Sequence, residues 1–225
     1  GTGAADSSAV IGRWTSGASG PRLSFVASNN GTIGSNTIVA DNDIIGFMEW
    51  LPDDGVDFAT PAATFWAEVD DASPEAGGVG MAFVWKQMPG GGTTAAAETM
   101  RISAAGYVGI GEASPDTMLH LTDGAPDITL EDSDGGDVYK VGNNGGNYRI
   151  RNVTDSRTDF NITGAGLVGI GTASPEGGLL HVKVDDAGGT ATPHTSAQLV
   201  LERNGTNYLQ FLTGNDGTSG LLFGD

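Results

Sequence analysis

The chain has 225 residues and a mass of 22.8 kDa, and 37 of its residues are glycine, roughly twice the ordinary share of about 7%. Its 28 acidic and 10 basic residues give a net charge of −18, which makes a phosphate-binding surface of clustered Lys and Arg hard to build. No apolar run approaches the 18 or so residues of a membrane helix, no cysteine supplies a disulfide or thiolate ligand, and the glycines lack the strict three-residue period of collagen. Nucleic-acid binding and membrane insertion are therefore not expected.

Helical patterns are missing throughout, because glycine or proline interrupts every window with apolar residues at i, i+3 and i+4. Residues 1–20 form a Gly/Ser-rich linker or shaft end carrying Trp14. Alternating runs at 22–27, 45–50, 65–69 and 81–85, each bounded by Gly, Pro, Asn or Asp, predict short strands. They point to a β-sandwich-like domain over 21–103. All four tryptophans (Trp14, Trp50, Trp66, Trp85) precede residue 100, which places a domain edge near Arg101.

Beyond that edge the sequence repeats. Gly106-Tyr-Val-Gly-Ile-Gly-Glu-Ala-Ser-Pro115 returns as Gly166-Leu-Val-Gly-Ile-Gly-Thr-Ala-Ser-Pro175, an offset of 60. Leu119-His-Leu121 then matches Leu180-His-Val182 at 61, and Ile128-Thr-Leu-Glu-Asp132 matches Leu199-Val-Leu-Glu-Arg203 at 71. The reading is a first β-repeat shaft unit over 104–175 and a second over 176–225, incomplete at its end. The extra residues of the second copy, 185–195, predict a surface loop.

The two-residue period of a strand puts Val108 and Ile110 on one face and Gly109 and Gly111 on the other; Val168, Ile170, Gly169 and Gly171 do the same. Leu119 and Leu121, then Leu180 and Val182, resume the apolar face after a Ser-Pro turn. Glycine inside a strand lets another backbone approach closely. Units with such short strands bury little alone, so their faces need cover from neighbouring repeats or chains. These eight apolar residues are expected to line the axis of an elongated, three-chain shaft, with the four glycines permitting close packing between backbones.

Candidate chemistry is sparse. Gly164-Ala-Gly-Leu-Val-Gly169 fits the dinucleotide fingerprint letter by letter, but it runs into a strand and a Ser-Pro instead of opening a helix, and the first copy has Ala104 at the first position. His120 and His181 occupy equivalent repeat positions, so threefold symmetry could gather three of either around a metal or anion; His194 is the third histidine. The acid-rich turns at 53–57 and 132–137 could offer oxygens to a divalent cation, yet solvated turns are the commoner role. Glu68 and Asp70, beside Trp66, are the least poor pair for sugar hydrolysis. Trp14 and Trp66 are the candidates for stacking on a glycan, although strand tryptophans more often pack in a core. No cofactor is expected.

The pattern Gly-x-Val-Gly-Ile-Gly-Thr-x-Ser-Pro followed by Leu-His-Val resembles repeats in tail fibres and other virion structural proteins of tailed bacteriophages, and in some large bacterial surface proteins. Glu112 departs from it where Thr172 fits. The upstream segments 35–46, 67–70 and 99–103 are similar to the β-domain that often precedes such repeats, and the resemblance covers roughly residues 20–225. The resemblance implies an all-β homotrimeric fibre, with a compact β-domain followed by intertwined β-prism or β-helix-like shaft units. It further implies a non-enzymatic role in carrying or spacing a receptor-binding tip on the virion. Its partners would be its own copies, adjoining fibre segments or other virion proteins, and a host glycan or protein receptor. The alternatives are a bacterial surface adhesin or filament subunit and a polysaccharide-depolymerising tailspike.

Overall fold

The computed structural model describes residues 9–14, 16–89, 96–184, 193 and 197–209. The chain is all-β and divides into two compact units between Thr122 and Asp123. The first holds β1 (Ile44–Trp50), β2 (Ala63–Val69), β3 (Met81–Gln87), β4 (Ala97–Ile102), β5 (Val108–Ile110) and β6 (Leu119–Leu121), joined in that order into one sheet. The second holds β7 (Asp127–Glu131), β8 (Val138–Asn144), β9 (Asn147–Asn152), β10 (Arg157–Ile162), β11 (Val168–Ile170), β12 (Leu180–Lys183) and β13 (Leu199–Glu202), also paired in sequence order. Pairing is antiparallel except for β5–β6, β11–β12 and β12–β13, which are parallel. Both sheets are therefore mixed.

Local chemistry explains the punctuation. The β4–β5 turn is closed by Gly106, whose N–H donates to Ser103 O at φ +80°, and the β10–β11 turn repeats it with Gly166 and Thr163 at the same φ. A Cβ-bearing residue is strained there. After β5 and β11 the Ser-Pro segments cannot continue a ladder, and the chain loops back to lay β6 and β12 parallel to the strand it has just left.

Three expectations are corrected. The first sheet runs on through β4, β5 and β6, so the division falls after Thr122, not near Arg101, and 104–175 is not a separate unit. The shaft-like repeat begins as the continuation of the tryptophan-rich sheet. Among the described residues neither unit is a sandwich: each is a single sheet, because alternation tells which face is apolar without supplying a second layer. The run 22–27 is not a strand either. Its Phe25 ring instead lies directly over Gly46 of β1, in the space a side chain would fill, so Phe25 covers the sheet and does not extend it.

The interior is small. Trp66, Val69, Ala82 and Val84, in β2 and β3, form the buried hydrophobic core among the described residues, and Pro175 is buried beside β11.

Candidate functional site

Cross-strand register sorts every strand of the first sheet onto two faces. Met48 faces Phe65, Phe65 faces Trp85, Trp85 faces Met100 and Met100 faces Ile110, which pairs with Leu121. One row lower, Phe83, Ile102, Val108 and Leu119 follow one another in the same way. A single apolar face thus spans all six strands. It is partly open to solvent, with Trp50 54%, Phe83 45%, Ile110 44% and Leu119 51% exposed. Phe65 anchors it, 4.8 Å from the Trp85 ring and 5.8 Å from Phe83, centroid to centroid.

The second sheet repeats the arrangement. Ile128 and Leu130 on β7 face Val141 and Tyr139, Val141 faces Ile150, and Ile150 faces Phe160. Phe160 and Ile162 face Ile170 and Val168, which lead to Val182 and Leu180 and then to Leu201 and Leu199. Again one apolar face crosses the whole sheet, and its residues are half-buried or exposed. Each sequence-predicted core residue lies on one of these faces: Val108, Ile110, Leu119 and Leu121 on the first, Val168, Ile170, Leu180 and Val182 on the second.

The reverse faces carry buried groups, Trp66, Ala82 and Val84 with Glu68 on the first and Asn161 with His181 on the second, while Phe47 on the first is 52% exposed. Trp66 is 7% exposed and donates its Nε1–H to Glu68 Oε2 at 2.6 Å. Glu68 Oε1 accepts from Arg101 at 2.9 Å, and Arg101 also grips Glu98 at 2.7 Å. These carboxylates, Glu98 foremost, raise the affinity of the Arg101 guanidinium for its proton still further. In the second unit Asn161, fully buried, donates to Ala173 O and pins the turn after β11. His181 is 2% exposed, accepts from Glu176 N–H at Nδ1 (3.1 Å), and its Nε2–H points at Glu202 Oε2, 2.8 Å away.

The glycines of the repeat have a physical role different from the one their pattern suggested. A Cβ on Gly109 would fall on Glu112 O, and one on Gly169 would lie 2.6 Å from Thr172 O. Gly111 and Gly171, at φ +69° and +74°, face Thr122 O and Lys183 O in the same way. Close backbone approach is real, but the approaching carbonyls belong to the same chain. Within the chain these carbonyls already account for the absence of a side chain at all four positions.

Several candidate sites dissolve. Trp66 is sealed in the core by its bond to Glu68, so it cannot stack on a glycan; Trp14 stands 92% exposed. Glu68 is occupied by Trp66 and Arg101, and Asp70 Oδ2 accepts from Ala104 N–H at 2.7 Å, so both acids serve the fold. In the 53–57 turn the carboxylates of Asp53, Asp54 and Asp57 accept the backbone N–H groups of Gly55, Val56 and Ala59, each at 2.8 Å. Such turns use up their oxygens locally. Among the described residues no three His, Asp or Glu side chains converge on a metal position. The Gly164–Gly169 pattern lies in the β10–β11 hairpin. His194 lies outside the described residues, as does most of the predicted 185–195 loop.

Reasoning from the repeat alone missed the aromatic half of the first face: Met48, Trp50, Phe65, Phe83 and Trp85. Their period-two spacing in β1, β2 and β3 carries the same signal as Val-Gly-Ile-Gly. A cleft of about 410 Å³ opens beside them, lined by Trp50, Phe65, Trp85 and Lys86 among others. In comparison with known proteins, no family model and no curated protein sequence matches the chain.

Proposed function

We propose that the chain is a non-enzymatic structural segment of a tailed-phage fibre, a homotrimer that carries or spaces the tip through which the virion meets its host. One observation supports this above the rest: in each unit one apolar face runs across the whole sheet, and its own unit leaves it partly open. Exposed contiguous apolar surface on this scale is characteristic of surfaces that meet another protein. Copies of the chain offer the same face, with the same rows of side chains, and Val108, Ile110, Leu119, Leu121, Val168, Ile170, Leu180 and Val182 become the interchain core. The reverse faces, already covered around Trp66 and His181 within their own units, then turn outward. The number three comes from the resemblance of the repeats to those of phage fibres.

The mechanism is mechanical. Packing of the apolar faces makes each chain depend on the others, and display of several tips on one fibre raises avidity by making later contacts intramolecular. The acids considered for sugar cleavage, Glu68 and Asp70, are engaged in holding Trp66, Arg101 and the Ala104 turn, which favours the structural reading over a depolymerase.

Light scattering after gel filtration tests the assembly, with about 68 kDa, three times the 22.8 kDa chain, as the expected mass. A well-folded single-chain species overturns the reading. A two-chain mass would make the assembly a face-to-face pair and overturn its threefold part.

A further inference from the structure

The two repeats differ at one place: the outer edge of the strand that follows the Ser-Pro turn. In the second repeat that edge, on β12, is covered by β13, which pairs parallel with Leu180 opposite Leu199, His181 opposite Val200 and Val182 opposite Leu201. In the first repeat β6 ends its sheet, and among the described residues no strand pairs with its outer edge. The sequence counterpart of β13 does exist. It is β7, Ile128-Thr-Leu-Glu131 against Leu199-Val-Leu-Glu202, and β7 also ends its sheet, hydrogen-bonded to β8 alone. We propose that the open edge of β6 is the docking site for β7 of a second copy of this chain, paired parallel as β13 pairs with β12. This rests on the multi-chain reading above and adds to it an exchange of strands at sheet edges.

Three observations carry it. Alternation sets the register: Leu119 opposite Ile128 and Leu121 opposite Leu130 join two apolar faces on the same side, whereas a slip by one residue would set polar against apolar. The polar side matches as well. Glu202 reaches His181 Nε2 at 2.8 Å, and in the same register Glu131 comes to His120, whose Nδ1 lies 3.1 Å from Asp116 Oδ1 without an aligned hydrogen bond. Chain length then selects the partner. A parallel strand usually needs a connection of about a dozen residues or more. The tightest parallel return among the described strands, β5 to β6, uses the eight residues 111–118, and β12 to β13 uses 184–198. Only the five residues 122–126 separate β6 from β7, fewer than any parallel return among the described strands uses, so a strand from another copy fits the edge with less strain than the chain's own β7. Open edges attract strands in this way.

The chain has no cysteine, which makes a disulfide test clean. In the proposed register His120 stands opposite Thr129, within the Cα separation of about 4.4–6.8 Å that a disulfide accepts. Two single variants, H120C and T129C, carried on chains of different tag length, are refolded together and oxidised. The expected result is a disulfide-linked pair of unlike chains, absent when either variant is oxidised alone. The exposed pair T122C and E131C repeats the test should H120C fail to fold. No unlike pair from either set, at an unchanged multi-chain mass, overturns the strand exchange while leaving the assembly standing. A single-chain mass removes both. A double variant H120C/T129C that forms its disulfide only within one chain also overturns the proposal.

Discussion

Ile170→Asp strikes the proposed assembly at the middle of its apolar row, between Phe160 and Val182. Ile170 is 42% exposed in the single chain. Burying a whole isoleucine side chain stabilises by about 1.5–3 kcal/mol, so covering the open 42% contributes about 0.6–1.3 kcal/mol per chain, or about 2–4 kcal/mol over three chains. Aspartate loses that contribution and sets three carboxylates in an apolar interface, each costing several kcal/mol when unpaired. The combined loss exceeds what most assemblies of this size can absorb. Light scattering over a hundredfold range of protein concentration should show the variant dissociated where the parent is assembled. Burial raises a carboxyl pKa, so the neutral form is favoured in the assembly and lowering the pH should restore part of it. Ile110→Asp, at 44% exposure on the other sheet, should behave alike, whereas Ile33→Asp, on a fully exposed loop residue, should leave the mass unchanged. Retention of the parental mass and dissociation concentration by both Ile110→Asp and Ile170→Asp would falsify the argument from the open faces.

Gly171→Ala should lower the thermal midpoint clearly, since its Cβ meets Lys183 O at a left-handed φ of +74°, a strain on the order of 1–3 kcal/mol before the clash is counted; an unchanged midpoint would contradict the intrachain role of this glycine. Arg101→Met leaves Glu68 and Glu98 facing each other at 12% and 19% side-chain exposure, and urea unfolding should register a loss of about 3–5 kcal/mol, less in Arg101→Lys. Equal stability of Arg101→Met and the parent would show that the pair is not coupled to folding. The Glu112 carboxylate is held below its ordinary 4.5 by the Ser114 N–H, then by the Thr122 hydroxyl. Because the folded-state pKa is the lower one, its contribution is present above pH 4.5 and disappears as the pH falls through the depressed value. Amide exchange in the 111–122 loop should therefore accelerate on acidification in the parent, and the pH dependence should flatten in Glu112→Gln.

What could be read from residues alone was what depends on neighbours two positions apart. Val108 with Ile110 and Phe65 with Ala67 report a strand and an apolar face without reference to any partner, and the observed registers agree. Layering is not local in that sense. The run at 22–27 alternates as well as β2 does, yet Phe25 packs onto Gly46 from outside the sheet, and nothing within six residues separates the two cases. The domain edge failed for a related reason, since the loss of tryptophan after Trp85 marks a change of side chains on a sheet whose hydrogen bonding continues through β4 into β5. Trp66 was ambiguous until Glu68, two residues on, was found bonded to its indole. For the glycines the pattern announced a close approach, but the identity of the approaching carbonyl needed the loop's path.

At Gly109 and at Gly169 the carbonyl of the residue three further on occupies the place a Cβ would take, so each turn folds closely back against its own strand. Each repeat therefore carries the same turn at the same place relative to its strand. In a fibre of the proposed kind a unit could be gained or lost by duplication or deletion with that turn kept. Its length would then change in whole steps, while the placement of side chains along it stays constant.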